Sequence, residues 1–360
     1  MPANESFVAT VFAAWESGDA VFPVDQRLPS NSRQSIVAAM GAARVVDSAG
    51  DVVNLSGEVP VELGDALVIA TSGSTGEPKG VVHTHASIAA SAQASNRRLG
   101  TTMQDHWLAC LPVSHIGGMS VITRARAAGC QLSIHESFDS DAVEHAARSG
   151  VTLTSLVNTA LARVDAGLFR KILLGGGAPP QDLPANVVKT YGMTETGSGV
   201  AYDGVALDGV ELRVDESGEI FVRGAMLLRC YRDGTDPKSV DGWLATNDLG
   251  TYVNGVLRVD GRRGDLIITG GENVWPVQVE SAIASHPSIS EVCVRGLADE
   301  TWGHRVVAWI VTKQETSITL AEIREWVKQT LPAFCAPQEI RRLEKLPRTT
   351  IGKIDKSNLR

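Results

Sequence analysis

The 360-residue sequence lacks paired cysteines, a basic leader and long apolar runs. Its five cysteines lie far apart and form no CxxC pair, so neither a zinc site nor a disulfide framework is expected. No basic residue precedes the first apolar stretch, which argues against a secretory signal peptide. No window approaches the roughly 20 apolar residues that cross a bilayer. These absences predict a cytoplasmic protein with no stable membrane insertion.

A long basic run is also missing. The chain has 41 acidic and 33 basic residues and a formal charge of −8, so nucleic acid is not an expected partner. No internal repeat or low-complexity tract is present. With 43% hydrophobic residues, the chain can bury a sizeable core, and its length is sufficient for two domains.

Alternating strand-like and helix-like segments dominate the first half of the chain. After helices near residues 5–15 and 32–43, a strand at 66–70 precedes a loop rich in Gly, Ser and Thr. A helix capped by Asp139 or Ser140 is followed by a β-branched run at 151–157. Later, a strand at Lys171–Leu174 runs into three glycines. This alternation predicts an α/β domain with buried, largely parallel strands.

After Tyr202 the pattern changes to short strands separated by turn residues, which predicts a small, mostly antiparallel β region. From Gly264 onward the chain returns to mixed α/β. There, Thr319-Leu-Ala-Glu322 is a capping box at the start of a helix that should end at Pro332. We therefore predict two domains, a large one at residues 1–262 and a small, mobile α+β one at residues 263–360.

The segment Thr71-Ser-Gly-Ser-Thr-Gly-Glu-Pro-Lys-Gly80 has the composition of a phosphate-binding loop. Glycines let backbone N–H groups turn toward an anion, hydroxyls add donors and the lysine supplies charge. The mononucleotide pattern GxxxxGK[ST] does not fit, because two of the glycines are too close together and the lysine is followed by glycine. The predicted phosphate-binding residues are Thr71, Ser72, Gly73, Ser74, Thr75, Gly76 and Lys79.

Further motifs follow in a fixed order. They are Leu-Leu-Gly-Gly-Gly-Ala-Pro at 173–179, Tyr-Gly-Met-Thr-Glu at 191–195, Asp-Gly-Trp-Leu-Ala-Thr-Asn-Asp at 241–248, Gly-Arg-Arg-Gly-Asp at 261–265 and Pro-Arg-Thr-Thr-Ile-Gly-Lys at 347–353. Together with the loop, this set resembles the adenylate-forming superfamily, which includes acyl-CoA synthetases, luciferases and peptide-synthetase adenylation domains. The resemblance covers nearly the whole chain after residue 60.

The resemblance implies a role for each matching residue. Tyr191 would stack on adenine, Thr194 would contact the α-phosphate and Glu195 would bind Mg²⁺. Asp248 and Arg262 would hold the ribose, although Asn247 stands where the family has glycine. In this family the lysine of the last motif stabilises the charge that grows as carboxylate and α-phosphate join. The other implied residues are Gly176, Gly177 and Gly192 in the nucleotide pocket, and Lys353 as that lysine.

The resemblance also implies two half-reactions, which are acyl-adenylate formation from ATP and transfer of the acyl group to coenzyme A. For the second step the small domain rotates and presents Gly270 and Gly271. The pivot position falls at Gly264, where relatives often have Asp or Lys; glycine can make the backbone change easily. Loading of a carrier protein is the alternative to free coenzyme A. Enzymes of this family often form homodimers, so a homodimer is one expected state.

The acid is indicated by the segment Leu-Pro-Val-Ser-His-Ile-Gly-Gly-Met-Ser-Val-Ile-Thr-Arg at 111–124 and by the short chain before the phosphate loop. Both resemble the o-succinylbenzoate–CoA ligases of menaquinone biosynthesis, particularly their shortened bacterial forms. Arg124 would bind a second carboxylate, since arginine does this bidentately. His115 would gate the acyl pocket or pack within it, and Ser155 and Thr159 would line it. The alternatives are a benzoate-like or medium-chain acid and a non-catalytic, nucleotide-binding relative.

Overall fold

The computed structural model describes residues 1–47, 49–72, 78–180, 182–313, 318–348 and 354–359, with Ser72 described in its backbone only. The chain forms two compact units. The first unit comprises Met1–Arg213, Phe221–Ala245 and Val253–Leu257, and the second comprises Val214–Ile220, Thr246–Tyr252 and Arg258–Arg360. The predicted division at 262/263 stays a prediction.

The α-helices are α1 (Glu5–Glu16), α2 (Ser30–Ala39), α3 (His85–Leu99), α4 (Ile116–Ala128), α5 (Ser140–Arg148), α6 (Asn158–Leu161), α7 (Pro276–Ala284) and α8 (Leu320–Lys328). The strands of the first two hundred residues are β1 (Arg44–Val46), β2 (Val52–Asn54), β3 (Asp65–Ser72), β4 (Pro78–Thr84), β5 (His106–Ala109), β6 (Gln131–Ile134), β7 (Leu153–Leu156), β8 (Lys171–Leu174), β9 (Val187–Met193) and β10 (Ser198–Tyr202). The later strands are β11 (Val205–Ala206), β12 (Val210–Val214), β13 (Glu219–Gly224), β14 (Cys230–Tyr231), β15 (Leu244–Val253), β16 (Val256–Arg262), β17 (Ile267–Thr269), β18 (Glu272–Val274), β19 (Ile289–Asp299), β20 (Gly303–Thr312) and β21 (Glu339–Arg342).

A parallel sheet in the order β6-β5-β7-β8-β9 forms the centre of the first unit. Successive residues of β5 point to opposite faces. Trp107 packs with residues of α3 and α4, whereas Leu108 packs with Val143 of α5. Helices therefore cover both faces, as parallel sheets require, and the predicted α/β class is confirmed.

The antiparallel hairpin β3–β4 carries the predicted phosphate loop. Thr71 pairs with Lys79 and Ser72 with Pro78, so these residues, which the sequence places in a loop, belong to strands. Strand β14 pairs with β4 on the other side and brings Tyr231 opposite Val81. The helix α1 packs beside β3, where the Trp15 indole donates to the Ala66 carbonyl at 2.7 Å. The hairpin is thus fixed on both sides of the loop.

In the second unit, the sheet β18-β17-β20-β19 is antiparallel, and β21 adds to β20 in parallel. Helices α7 and α8 cover it through a core that includes Val279, Ile283, Ile323 and Val327. The predicted capping box at Thr319 is present, because its hydroxyl and the Glu322 carboxylate each bind the other's backbone N–H.

Two helix ends differ from the sequence prediction. Helix α2 ends at Ala39, since Gly41 adopts a left-handed φ of +57° that stops the helix. Helix α8 ends at Lys328 rather than at Pro332. There the Gln329 and Thr330 N–H groups bond to carbonyls only three residues back, which tightens the last turn before the proline. Among the described residues, no helix is long and apolar enough to cross a membrane.

Candidate active site

The predicted magnesium ligand Glu195 lies in a short 3-10 turn, Thr194–Thr196, directly after β9. Its Oε1 accepts a hydrogen bond of 3.1 Å from the hydroxyl of Tyr231. The Lys79 ammonium lies 5.1 Å from the centre of the Tyr231 ring. Tyr231 therefore lies between the cation predicted for the phosphates and the carboxylate predicted for the metal. No sequence motif indicates Tyr231, because its contacts depend on the pairing of β14 with β4.

His83 is a second residue to which no sequence motif assigns a role. It lies on β4, is 0% exposed, and its Nε2 is 2.7 Å from the Thr194 carbonyl oxygen. Because a carbonyl can only accept, Nε2 carries the proton, and Nδ1 lies 3.2 Å from the Ser87 hydroxyl. Burial lowers the pKa of His83 to about 4, which keeps the imidazole neutral. The side chain thus fixes the backbone of the Thr194–Glu195 turn.

This burial predicts an acid sensitivity. The folded-state pKa of about 4 is below the ordinary value of 6.5, so the unfolded chain takes up the proton first. The stability that His83 contributes is complete above pH 6.5 and should fall by about 1.4 kcal/mol per pH unit toward pH 4, about 3 kcal/mol in all. The variant His83→Gln keeps an N–H donor for Thr194 and should remove this part of the pH dependence.

The measurement is urea unfolding of the two proteins between pH 6.5 and 4. His145→Gln is the matched control, since His145 is exposed in the same unit. Parallel pH profiles for the wild type and His83→Gln would contradict the assignment.

Two glycines of the nucleotide motifs lie where a side chain would clash with the backbone or strain it. A Cβ on Gly192 would lie 2.1 Å from the Ser198 carbonyl oxygen, which no side chain could tolerate. Gly176 has a left-handed φ of +83° in the turn after β8, and Gly177 follows it. Tyr191 lies on β9 three residues before Thr194, the first residue of the turn. The structure therefore gives Gly192 and Gly176 a conformational reason but not Gly177, and contact of the three with a nucleotide stays a prediction.

Arg124 lies on α4 and is the most deeply buried of the predicted substrate-binding residues, at 2% exposure. Its Nη1 donates to the Ser155 hydroxyl at 3.3 Å and its Nη2 to the Ser198 hydroxyl at 2.6 Å. The Ser198 hydroxyl lies 3.3 Å from that of Ser120. Ser155 was predicted with Arg124, whereas Ser120 and Ser198 were not. Two hydroxyls thus contact the guanidinium, and a third, that of Ser120, lies beside one of them.

No carboxylate pairs with Arg124 among the residues that the structure describes, and its Nε is buried without a hydrogen-bond partner. The Trp107 ring, 5.7 Å from its guanidinium carbon, is a further neighbour. A buried charge normally requires an opposite charge, because desolvation costs several kcal/mol that neutral hydroxyls offset only in part. Ser198 also has φ of +140°, a strained value for a residue with a side chain. This arrangement can accept an anion.

His115 and Thr159 lie elsewhere in the first unit. His115 immediately precedes α4. The pKa of the Asp25 carboxyl is lowered, since burial opposes the shift but the contacts with Arg27 outweigh it, and the nearby His115 adds a smaller lowering. Thr159 lies on α6 and lines a cavity of about 990 Å³ together with Ser114 and several short segments between Met1 and Val61. Arg124, Ser155 and Ser198 are not among its lining residues. The structure therefore groups Ser155, but not Thr159, with Arg124.

Four predicted site residues, Asp248, Arg262, Gly270 and Gly271, belong to the second unit. The Arg262 Nε donates to the Asp248 carboxylate at 3.2 Å, so the two residues predicted to hold a ribose are neighbours. Gly270 and Gly271 form the turn between β17 and β18, with φ of +58° and +84°. Lys353, Gly73, Ser74, Thr75 and Gly76 lie outside the described residues.

The donor set fits a substrate-bound magnesium ion rather than a site built by the protein alone. Within the described ranges, no cluster of three or more His, Cys, Asp or Glu side chains could hold a metal. Mg²⁺ is commonly bound through one or two carboxylates, waters and substrate phosphates, and Glu195 would supply one such carboxylate. The ion would neutralise phosphate charge at this position.

Comparison with known proteins assigns the chain to a family. A model of the AMP-binding enzyme family matches residues 54–232, and a model of the AMP-binding enzyme C-terminal domain matches residues 278–353. The probable 2-succinylbenzoate–CoA ligase of Mycobacterium tuberculosis (strain H37Rv) is 38% identical, and the alignment covers 94% of each protein. The chain belongs to the AMP-binding enzyme family.

Other relatives of this AMP-binding enzyme have similar names. The 2-succinylbenzoate–CoA ligase of Listeria monocytogenes serotype 4b (strain F2365) is 35% identical over 82% of this chain and 69% of that protein. The o-succinylbenzoate CoA synthetase of Bacillus subtilis, solved with its acyl-adenylate intermediate OSB-AMP, has a TM-score of 0.85 and 29% identity, covering 98% of this chain and 85% of that chain. The same Bacillus enzyme solved with ATP and magnesium has a TM-score of 0.77 and 30% identity, covering 97% and 81%.

The predicted family and fold class of this AMP-binding enzyme are confirmed, as is its assignment to the adenylate-forming acid–CoA ligases. The roles of individual site residues and the homodimer stay predictions.

Proposed function

We propose that this AMP-binding enzyme joins 2-succinylbenzoate to coenzyme A and converts ATP to AMP and diphosphate. The observation that carries the proposal is the buried Arg124 guanidinium, which neutral hydroxyls surround and which no described carboxylate pairs with. An acid with a second carboxylate would supply the missing negative charge. The names of the relatives support the same substrate.

The reaction has two steps, and each forms one bond and breaks another. In the first, a carboxylate oxygen of the acid attacks the α-phosphorus of ATP, and the bond to the β-phosphate oxygen breaks to release diphosphate. In the second, the sulfur of coenzyme A attacks the acyl carbon, the bond to the AMP oxygen breaks, and the thiol proton is lost to solvent. Both steps build charge on phosphate or carbonyl oxygens, so positioned cations and N–H donors lower their barriers.

The described residues supply parts of this machinery. Lys79 would bind phosphate charge, and Glu195, held by Tyr231, would share the magnesium ion with the phosphates. Thr194, whose carbonyl is fixed by His83, would direct its side chain toward the α-phosphate. In the second unit, Asp248 and Arg262 would bind the ribose hydroxyls. The resemblance assigns Lys353 to the first step and Gly270 and Gly271 to the second.

A second carboxylate on the acid would account for an arginine buried among hydroxyls. A guanidinium presents parallel N–H groups that match two carboxylate oxygens, and such bonds are stronger than those to neutral acceptors. The Ser120, Ser155 and Ser198 hydroxyls can donate to the same carboxylate once Arg124 binds it. A monocarboxylate such as benzoate or octanoate would leave the buried charge of Arg124 uncompensated. The pocket is therefore expected to select against such acids.

The test compares 2-succinylbenzoate with its two monomethyl esters, benzoate, octanoate and several amino acids. The measured quantity is the CoA-dependent release of diphosphate and AMP by the wild-type enzyme. We expect 2-succinylbenzoate to have the highest kcat/KM, with both half-esters lower by about 100-fold or more, because one lacks the reacting carboxylate and the other lacks the anion for Arg124.

Equal or faster turnover of benzoate or octanoate would contradict the proposed acid. Activation of an acid without transfer to coenzyme A would instead favour an enzyme that loads a carrier protein.

A further inference from the structure

The second unit contains a charged contact that none of the predicted roles uses. Lys356 extends its ammonium to Asp265, with 2.8 Å between Nζ and Oδ2. Asp265 directly follows Gly264, the predicted pivot, and Lys356 lies three residues after Lys353, the predicted catalytic lysine. The ion pair therefore joins the segment after the pivot to the segment after that lysine, across 91 residues of sequence.

A second acid, Glu280, and the Cys293 thiol lie near the same ammonium. Burial opposes protonation of Lys356, but the hydrogen bond to Asp265 and the nearby Glu280 and Cys293 raise its pKa above the ordinary value. Glu280 is largely buried, which raises the pKa of its carboxyl, and it accepts the Val294 N–H at 2.8 Å. Lys356 is thus a half-buried cation that lies between two acids, unlike a lysine on a solvated tail.

Backbone contacts hold the same C-terminal segment. The Arg295 guanidinium donates to the carbonyl of Leu359 at 2.8 Å and also to that of Lys356. Ile354 forms an isolated antiparallel bridge with Arg348, and the Asp355 N–H donates to the Pro347 carbonyl at 2.8 Å. Residues on both sides of the predicted catalytic lysine are therefore anchored.

A small apolar cluster supports these polar contacts. Leu346 and Leu359 pack with Cys293 and Trp309, and Ile354 lies against the same cluster. Apolar burial of this kind resists displacement of the C-terminal segment, but it does not fix the orientation of the segment. The Lys356–Asp265 pair supplies the directional contact to the segment after the pivot.

We propose that Lys356, held by Asp265, is a positioning residue that fixes the segment carrying Lys353 for the adenylate-forming step. The inference rests on the proposed function, since it gives Lys353 its role in the first half-reaction. In the second half-reaction Lys353 has no role in this family, so loss of Lys356 should affect the two steps unequally. A purely structural role would affect both steps together.

The experiment measures the half-reactions separately in the full chain. The first is ATP–diphosphate exchange with 2-succinylbenzoate, and the second is thioester formation from supplied acyl-adenylate and coenzyme A. For Lys356→Met we expect a fall of about 10- to 100-fold in the first, because small displacements of a reacting group have effects of this size, and a change below about 3-fold in the second.

Matched variants separate positioning from a general effect. Lys356→Arg should recover most of the exchange rate, because it keeps the charge opposite Asp265. Asp265→Asn should reproduce the defect, and Asp265→Asn/Lys356→Met should be no worse than Lys356→Met alone if both act through one pair. Lys345→Met is the control, since Lys345 is exposed in the same unit. Equal losses in both half-reactions, or no loss in either, would overturn the proposal.

A readout without substrate distinguishes this inference from the proposed function. Hydrogen exchange of the amides of residues 354–359 should accelerate in Lys356→Met and not in Lys345→Met. If the wild type activates another acid better than 2-succinylbenzoate, the proposed substrate fails, and the exchange assay is run with that acid. If amide exchange is unchanged in Lys356→Met, the anchoring itself is refuted, whichever acid is used.

Discussion

Replacement of Arg124 by methionine is expected to lower kcat/KM for 2-succinylbenzoate by about 100-fold or more, because hydrogen bonds to charged groups contribute about 1.5–3 kcal/mol each and the variant loses two donors. The guanidinium is 2% exposed, so water cannot replace it. The substrate carboxylate would then be buried against Ser155 and Ser198 alone. Arg124→Lys should recover only part of the loss, since an ammonium does not match two carboxylate oxygens.

The deciding measurement is the ratio of kcat/KM for 2-succinylbenzoate to kcat/KM for the half-ester that keeps the reacting carboxylate. In the wild type, 2-succinylbenzoate should be preferred strongly over the half-ester that keeps the reacting carboxylate, and in Arg124→Met this preference should nearly disappear. Arg126→Met is the matched control, because Arg126 lies on the same helix but stacks 4.2 Å from the centre of the Phe12 ring and is exposed. An unchanged ratio in Arg124→Met, or an equal change in Arg126→Met, would show that Arg124 does not bind the second carboxylate.

The largest expected effect on stability concerns Arg229. Its Nε and Nη2 contact the two carboxylate oxygens of Asp65 at 2.7 and 2.8 Å, and its Nη1 contacts Glu62 at 2.7 Å. The Asp65 side chain is 0% exposed at the start of β3, the strand that leads to the phosphate loop. Arg229→Met leaves this carboxylate buried and unpaired, which should cost about 3–5 kcal/mol in the free energy of unfolding.

Urea unfolding followed by tryptophan fluorescence checks this value. Arg97→Met is the control, because the Arg97–Asp208 pair is exposed on both sides and should contribute below about 1 kcal/mol. The double variant Arg229→Met/Asp65→Asn should be more stable than Arg229→Met, since it removes the unpaired charge. A loss in Arg229→Met no larger than that in Arg97→Met would mean that water solvates Asp65 in the folded protein.

Local sequence signals were sufficient for several elements. The capping box at Thr319 and the strand Lys171–Leu174 occur where the sequence places them, and the N-cap is Asp139, one of the two residues that the sequence offers, because each feature depends on residues within a few positions. The borders of the phosphate loop did not follow from composition. Thr71 and Lys79 read as loop residues, yet cross-strand pairing of β3 with β4 extends both strands to them. Pairing between strands thus overrides local preference.

Some residues of the candidate site were likewise predictable from the sequence, and others were not. Motifs that resemble those of the family led to Arg124 and Ser155, Thr194 and Glu195, and Asp248 and Arg262, and the roles of these residues stay predictions. They did not identify His83, Tyr231 or Ser198 as the neighbours of those residues. The only local signal for His83 was its place in the apolar run of β4, which predicts burial but not a partner.

The sequence alone therefore determined the family, the chemistry it implies and the residue types that would perform it. Only the tertiary structure decided which side chains hold those residues in place: His83 on the Thr194 carbonyl, Tyr231 on Glu195, Ser198 on Arg124 and Lys356 on Asp265. Sequence separations of 36 to 111 residues divide these pairs. A contact over such a distance is set by strand order and helix packing, and neither is encoded in the spacing of a motif.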